Sequence, residues 1–264
     1  MEYRNQWALI TGASSGLGAE FARQLAERGM HLIITARRQD RLESLAEEIR
    51  KQHGVEVIVI VADLLAETEP DALIGQLNEL NKPIALFVNN AGFGGLAKFD
   101  ETDPARIHEM VTLNVRVATK LFYAIVPKMC ERQSGAVINL ASTASFQPVV
   151  FMGAYAATKA YMLSFSEALW PELRKKNVHV MALCPGFTKT EFLEVANVQG
   201  WQTKFAHTAP QVVSAGLRGL EKKKCTLVVG WMNWMLAQFP RFVPRAVLAR
   251  LSMAYMKPPR KKAG

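Results

Sequence analysis

Short apolar runs rich in β-branched residues alternate along the chain with longer stretches whose apolar residues recur at helical spacing. The short runs, Trp7–Ile10, His31–Thr35, Val55–Val61, Ile84–Val88, Val137–Leu140, His179–Cys184 and Thr226–Val229, predict strands. The stretches Gly18–Arg28, Asp40–Gln52, Pro70–Leu80, Asp103–Glu131, Tyr155–Lys175 and Pro210–Leu220 predict helices. Strands with few polar positions need cover on both faces. The alternation therefore predicts an α/β fold, a doubly wound parallel sheet of about seven strands with helices on both sides. No internal repeat, low-complexity segment or Gly/Ser linker divides it, so one domain is expected.

The pattern changes after residue 230. Trp231–Phe239 is almost wholly apolar, Pro240 stops it, and Pro244 opens a second segment. In that segment, Arg245–Met256, the residues Val247, Leu248, Leu251 and Tyr255 share one helical face. The run Lys257–Lys262 is expected to be disordered. The expected division is a main domain over 1–230 and an apolar, basic extension over 231–264.

Charge sharpens that division. Residues 222–264 hold six Lys and four Arg with no Asp or Glu, a local +10 within a total of +9, which leaves −1 for residues 1–221. A near-neutral body argues against nucleic acid as a partner and leaves the tail to meet something anionic, or nothing. At 264 residues, 50% hydrophobic and 21% charged, the chain can bury a sizeable core. Its three cysteines, Cys130, Cys184 and Cys225, are far apart, which suits neither a disulfide framework nor a metal cluster. A cytoplasmic protein without metal is expected. Met1–Gln6 lacks a signal-peptide core, and no run reaches the ~20 apolar residues of a membrane span.

The first candidate chemistry lies where strand one meets helix one, in Thr11-Gly12-Ala13-Ser14-Ser15-Gly16-Leu17-Gly18. A glycine-rich turn lets backbone amides approach a pyrophosphate, and the helix N-terminus adds unpaired donors. The spacing is G-x-x-x-G-x-G, in the place where a Rossmann-like fold holds a nucleotide; an ordinary tight turn is the plain alternative. About 20 residues further on, strand two ends in Arg37-Arg38, where an acidic residue would hold the ribose of NAD. Arginine there suits the 2′-phosphate of NADP(H) instead, unless the pair only opens the next helix. Asp63, with Leu64, follows strand three and either accepts from an adenine amino group or caps a turn. Asn90, Ala91 and Gly92 follow Asn89 at the end of strand four, where ligands of parallel sheets bind.

Tyr155 and Lys159 are four residues apart at the start of a helix and share a face. A free tyrosine has a pKa of ~10 and is a poor base near neutrality, and a lysine and an oxidised nicotinamide close by would favour its phenolate. Ser142, just past strand Val137–Leu140, could donate to an oxygen that gains negative charge. Asn114 sits in the interior of the Asp103–Glu131 helix, a poor place for asparagine. It either fixes a relay water or satisfies a contact between helices.

The glycine turn at 11–18, Asn89-Asn90-Ala91-Gly92, Asn114, Ser142, Tyr155 with Lys159, and Pro185-Gly186-Phe187-Thr188 occur in this order. In order and spacing they resemble the short-chain dehydrogenase/reductase superfamily over roughly residues 5–230. The resemblance implies a catalytic tetrad of Asn114, Ser142, Tyr155 and Lys159. Tyr155 would act as acid/base and Ser142 would orient the substrate oxygen. Lys159 would lower the tyrosine pKa and hold the nicotinamide ribose, and Asn114 would support a proton-relay water. It also implies that Pro185, Gly186 and Thr188 line the nicotinamide site, and that the chain forms a homodimer or homotetramer.

Residues 187–209 should form the substrate loop. Phe192, Leu193, Val195, Trp201 and Phe205 there, with Phe146 and Phe151, suit an apolar carbonyl or alcohol, or simply pack a folded lid. The expectation is an NADP(H)-dependent oxidoreductase moving a hydride to or from such a carbon. The alternatives are a 3-oxoacyl-thioester reductase and a non-catalytic NADP-binding regulatory protein. Aromatic and basic residues over 231–262 suit peripheral membrane contact, or packing over the pocket or against another subunit.

Overall fold

A computed structural model of the chain describes residues 2–196 and 206–256. Seven parallel strands form the main sheet: β1 (Trp7–Thr11), β2 (His31–Ala36), β3 (Val57–Val61), β4 (Ile84–Asn89), β5 (Gly135–Leu140), β6 (Val178–Cys184) and β9 (Thr226–Val228). Their order is β3-β2-β1-β4-β5-β6-β9, so the strand order reverses direction between β1 and β4. Ligand sites of doubly wound sheets lie outside the carboxyl ends of the strands at such a reversal.

Alternation within each strand divides the core. Ala8 and Ile10 of β1 pack with Phe21 and Leu25 of α1 (Gly16–Glu27), Ile49 of α2 (Gln39–His53) and Leu217 of α8 (Ala209–Glu221). Trp7 and Leu9 face the other way, against Leu73 of α3 (Glu69–Leu80) and Phe122 of α5 (Ala118–Glu131), a layer that α6 (Gly153–Arg174) joins through Phe165. Period-two side-chain direction in fully covered strands produces this two-sided core.

One long helix over Asp103–Glu131 is not what forms. The segment is α4 (Pro104–Val111), a π-helical turn over Thr112–Val117, and then α5. Asp103 caps α4 by accepting from the Ala105 amide at 2.9 Å, with Pro104 at the first helical position. Asn114 lies inside the π turn, a feature that recurs at functional sites in helices.

After β6 the chain forms β7 (Thr188–Lys189) and α7 (Glu191–Val195) and resumes in β8 (His207–Thr208), which pairs with β7. Trp201, Phe205 and the 257–262 run lie outside the described residues. The extension supplies α9 (Trp231–Gln238) and α10 (Arg245–Tyr255). The expected α10 face is only partly right, because Leu248 is buried while Val247 and Leu251 are exposed. The side chain of Tyr255 is outside the description. Among the described residues no helix is long and apolar enough to cross a membrane.

Candidate active site

A cavity of about 780 Å³ opens at the carboxyl ends of the strands, and every predicted site residue except Gly18 and Asn114 lines it. Its first part is the glycine turn. Gly12 and Gly16 adopt left-handed φ of +67° and +57°, a conformation costly for any residue with a Cβ. Gly18 acts through close packing, since a Cβ there would lie 2.3 Å from the Gly12 carbonyl oxygen. Thr11 Oγ1 accepts from the Asn90 and Ala91 amides at 3.0 Å each, and Asn90 Nδ2 donates to the Thr11 carbonyl at 2.8 Å. The end of β4 thus fixes the turn.

The donor set suits an anionic nucleotide. Helix α1 has no side-chain cap and no acidic residue in its first turn, so its amides remain for a ligand. Arg38 reaches back over the turn, donating to Ser14 Oγ at 3.1 Å and Ser15 Oγ at 2.7 Å. Arg37 is more exposed and stands 3.9 Å from Asp63. Asp63 Oδ1 accepts from the Leu65 amide at 3.1 Å, so the turn-capping reading of this aspartate holds while it also lines the cavity.

Glu191, at the start of α7, was missed by sequence reading. It accepts from Arg38 at 3.0 Å and pairs with Arg41, and these hydrogen bonds hold its carboxyl down at about 2. It therefore ties the segment after β7 to the cation pair. The contact spans 153 residues of sequence, and no local pattern announces it.

The chemical end is buried. Tyr155 is 7% exposed and Lys159 6%, with the Lys159 ammonium 5.9 Å from the centre of the Tyr155 ring. Lys159 Nζ donates to the Leu140 carbonyl at 2.7 Å. Ser142 accepts from the Ala144 amide at 3.1 Å, and its own amide donates to Ser145 Oγ at 3.2 Å, a reciprocal cap that fixes the serine at the end of β5. Phe192 of α7 packs on Tyr155 with ring centroids 5.6 Å apart.

The expected depression of the tyrosine pKa is not what the chain alone provides. Burial pushes the Tyr155 phenol up to about 12, and the hydrogen bond with the Ser142 hydroxyl pulls it only partly back. Burial also draws Lys159 down to about 8. Desolvation dominates, so in the chain without a nucleotide the phenol keeps its proton at neutral pH.

Asn114 stands behind the cavity wall. Its Nδ2 donates to the Phe93 carbonyl at 2.9 Å and to Thr158 Oγ1 at 3.1 Å, and its Oδ1 accepts from the Phe93 amide at 3.1 Å. Gly92 leaves room for it, because a Cβ there would lie 2.7 Å from Oδ1. These bonds tie the side chain to the loop after β4 and to α6. Pro185 and Thr188 are tied in through Thr143, whose amide donates to the Pro185 carbonyl at 2.9 Å, and through Thr188 Oγ1, which donates to the Gly186 carbonyl at 3.1 Å.

A nucleotide-binding turn at the sheet reversal, with a serine, tyrosine and lysine converging beside it, defines a nicotinamide-dependent oxidoreductase of the Rossmann type. Comparison with known proteins agrees. The profile of the short chain dehydrogenase family matches residues 6–199, and the chain belongs to that family. It is 32% identical over 198 residues to the very-long-chain 3-oxoacyl-CoA reductase of Bos taurus. That alignment covers 72% of this chain and 62% of the bovine protein. A short-chain dehydrogenase from Sphingobium yanoikuyae, solved in complex with NADPH, superposes with a TM-score of 0.81 at 29% identity, covering 98% of this chain and 99% of that one. The bulky-bulky ketone specific alcohol dehydrogenase from Comamonas testosteroni gives a TM-score of 0.78 at 29% identity, covering 98% and 97%.

Proposed function

We propose that the chain is an NADP(H)-dependent carbonyl reductase for an apolar ketone or aldehyde, with Tyr155 as proton donor. The observation that carries this reading is the buried Tyr155, with Lys159 5.9 Å from its ring centre, inside the cavity that Ser142 and the glycine turn also line. Bound there, the reduced nicotinamide would supply the hydride. The amides of the turn, from Gly12 through Leu17, hold the pyrophosphate. Arg38 with Ser14 and Ser15, and Arg37 beside them, hold the 2′-phosphate, which a guanidinium fork fits well. Asp63 and Leu64 border the adenine. Asn90, Ala91, Gly92, Pro185, Gly186 and Thr188 border the nicotinamide half.

As negative charge develops on the substrate oxygen, Ser142 donates a hydrogen bond to it and Tyr155 delivers a proton. An alkoxide is a stronger base than a phenolate, so a phenol held near 12 gives up its proton readily. Lys159 holds the nicotinamide ribose and stabilises the phenolate left behind. Asn114 positions this group through Phe93 and Thr158. The cavity lining also includes Phe192, Leu193, Leu248 and Met256, which favours an apolar substrate.

The bovine relative's name favours a second reading, a 3-oxoacyl-thioester reductase. A regulatory protein without turnover is disfavoured by the intact Ser142, Tyr155 and Lys159. Residues 1–230 then carry the catalytic domain and 231–264 an extension, of which Asn233, Leu236 and Leu248 line the cavity. Free Cys130, Cys184 and Cys225 suit a cytoplasmic protein. A self-associating surface is offered by α5 and α6, where Tyr123 and Tyr161 are exposed and Tyr161 stacks on Phe165.

Titrating NADPH and NADH against the folded protein by nicotinamide fluorescence, followed by a screen of apolar ketones with NADPH, tests the reading. Preferential NADPH binding and ketone-dependent oxidation are expected. Binding of neither nucleotide would overturn it.

A further inference from the structure

The extension concentrates apolar side chains on the outside of the molecule. Trp231 is 71% exposed and Phe242 82%, and Trp234, Met235 and Met253 are also exposed; none of the five lines the cavity. Isolated surface apolar residues are ordinary, but several large ones on two successive short helices mark an interaction site. Leu236, Phe239 and Leu251 are about half exposed and do line the cavity. They form its rim, so the substrate cavity opens through the same apolar face. Ser252 of α10 anchors this face to the core by accepting from the Val150 amide at 2.9 Å, five residues before Tyr155.

Charge decides between occupants. The extension over residues 231–264 carries seven basic residues, Arg241, Arg245 and Arg250 among them, and no acidic one. A second copy docked by two-fold symmetry would bring that set against itself, and like charges across an interface work against it. A bilayer surface with anionic headgroups answers both features: Trp and Met enter the interfacial region and Lys and Arg meet the headgroups. Each basic residue near such a surface strengthens binding about fivefold. Helices of 8 and 11 residues are far too short to span, so the contact is interfacial.

We propose that the α9–α10 face docks on an anionic bilayer surface and that apolar substrate passes from the lipid directly into the cavity. Docking stands on exposure and charge alone, whereas the substrate route rests on the proposed reductase function.

The test uses the full chain, wild type and Trp231→Glu/Trp234→Glu, in flotation with phosphatidylcholine/phosphatidylserine vesicles and with pure phosphatidylcholine vesicles. The wild type should float with the anionic vesicles only, and raised salt should release it. The double variant should lose at least tenfold of that binding while keeping its turnover of a water-soluble ketone. Absence of wild-type flotation, or equal flotation of the variant, overturns docking. So does a change from dimer to monomer in the variant by sedimentation velocity, which would assign the face to a second copy. Turnover of an apolar ketone dissolved in the anionic vesicles should fall tenfold in the variant relative to the soluble ketone. Unchanged vesicle-fed turnover with lost flotation overturns the substrate route. Flotation of a protein that oxidises no NADPH with any ketone counts against the reductase reading and leaves docking supported.

Discussion

The side chain of Asn114 and the main chain of Phe93 exchange two hydrogen bonds, one in each direction, at 2.9 and 3.1 Å. The pair is buried and ties the π turn between α4 and α5 to the loop that carries Asn90, Ala91 and Gly92. Replacing Asn114 by alanine leaves a buried amide and a buried carbonyl unpaired. The expected loss is about 3 kcal/mol of unfolding free energy, measured by chemical denaturation, together with weaker NADPH binding. A variant as stable as wild type would show that water replaces the asparagine at no cost.

Arg38 is predicted to dominate selection of the phosphorylated cofactor. It already bonds both serine hydroxyls of the glycine turn, while Arg37 is mostly exposed and only 3.9 Å from Asp63. Charged hydrogen bonds of this kind are each worth ~1.5–3 kcal/mol. Arg38→Ala should therefore weaken NADPH by ~10-fold to 100-fold and leave NADH nearly unchanged, with a smaller effect for Arg37→Ala. Fluorescence titration of the two nucleotides distinguishes them. Equal losses for NADPH and NADH would mean that Arg38 supports the turn rather than the phosphate.

Lys159 gives a pH signature. Its ammonium titrates at 10.5 when free and at about 8 in the fold, because burial penalises the charge. Below pH 8 both forms are protonated, and the folded chain carries the whole cost of burying the ammonium. Between about 8 and 10.5 only the folded form has released the proton, so stability rises with pH there. At ~1.4 kcal/mol for each pH unit the gain across the window is of order 3 kcal/mol. Unfolding free energies of wild type and Lys159→Met, measured at both ends of the window, should differ by that change. A pH-independent difference would show that the lysine is solvated.

The sheet was legible in the sequence because parallel strands buried on both faces must be apolar throughout, and Ala8, Leu9 and Ile10 show it. The glycine turn, Ser142 and the Tyr155/Lys159 pair were legible because each sits at a fixed junction of strand and helix. The π turn was hidden, since Met110, Val117 and Leu121 keep helical spacing across it. Glu191 was hidden because its partners Arg38 and Arg41 are distant in sequence. The depth of Tyr155 was hidden because a sequence shows neighbours and not burial. Spacing placed Val247, Leu248 and Leu251 together without telling that only Leu248 is buried.

Tyr155 carries the central claim. Oxidation of NADPH by an apolar ketone, followed in absorbance with wild type and Tyr155→Phe, tests it most directly. The account predicts a fall in turnover on the order of 10³, with NADPH binding retained in the same preparation. Turnover by Tyr155→Phe at the wild-type rate would contradict it, because the proton would then reach the substrate oxygen from elsewhere.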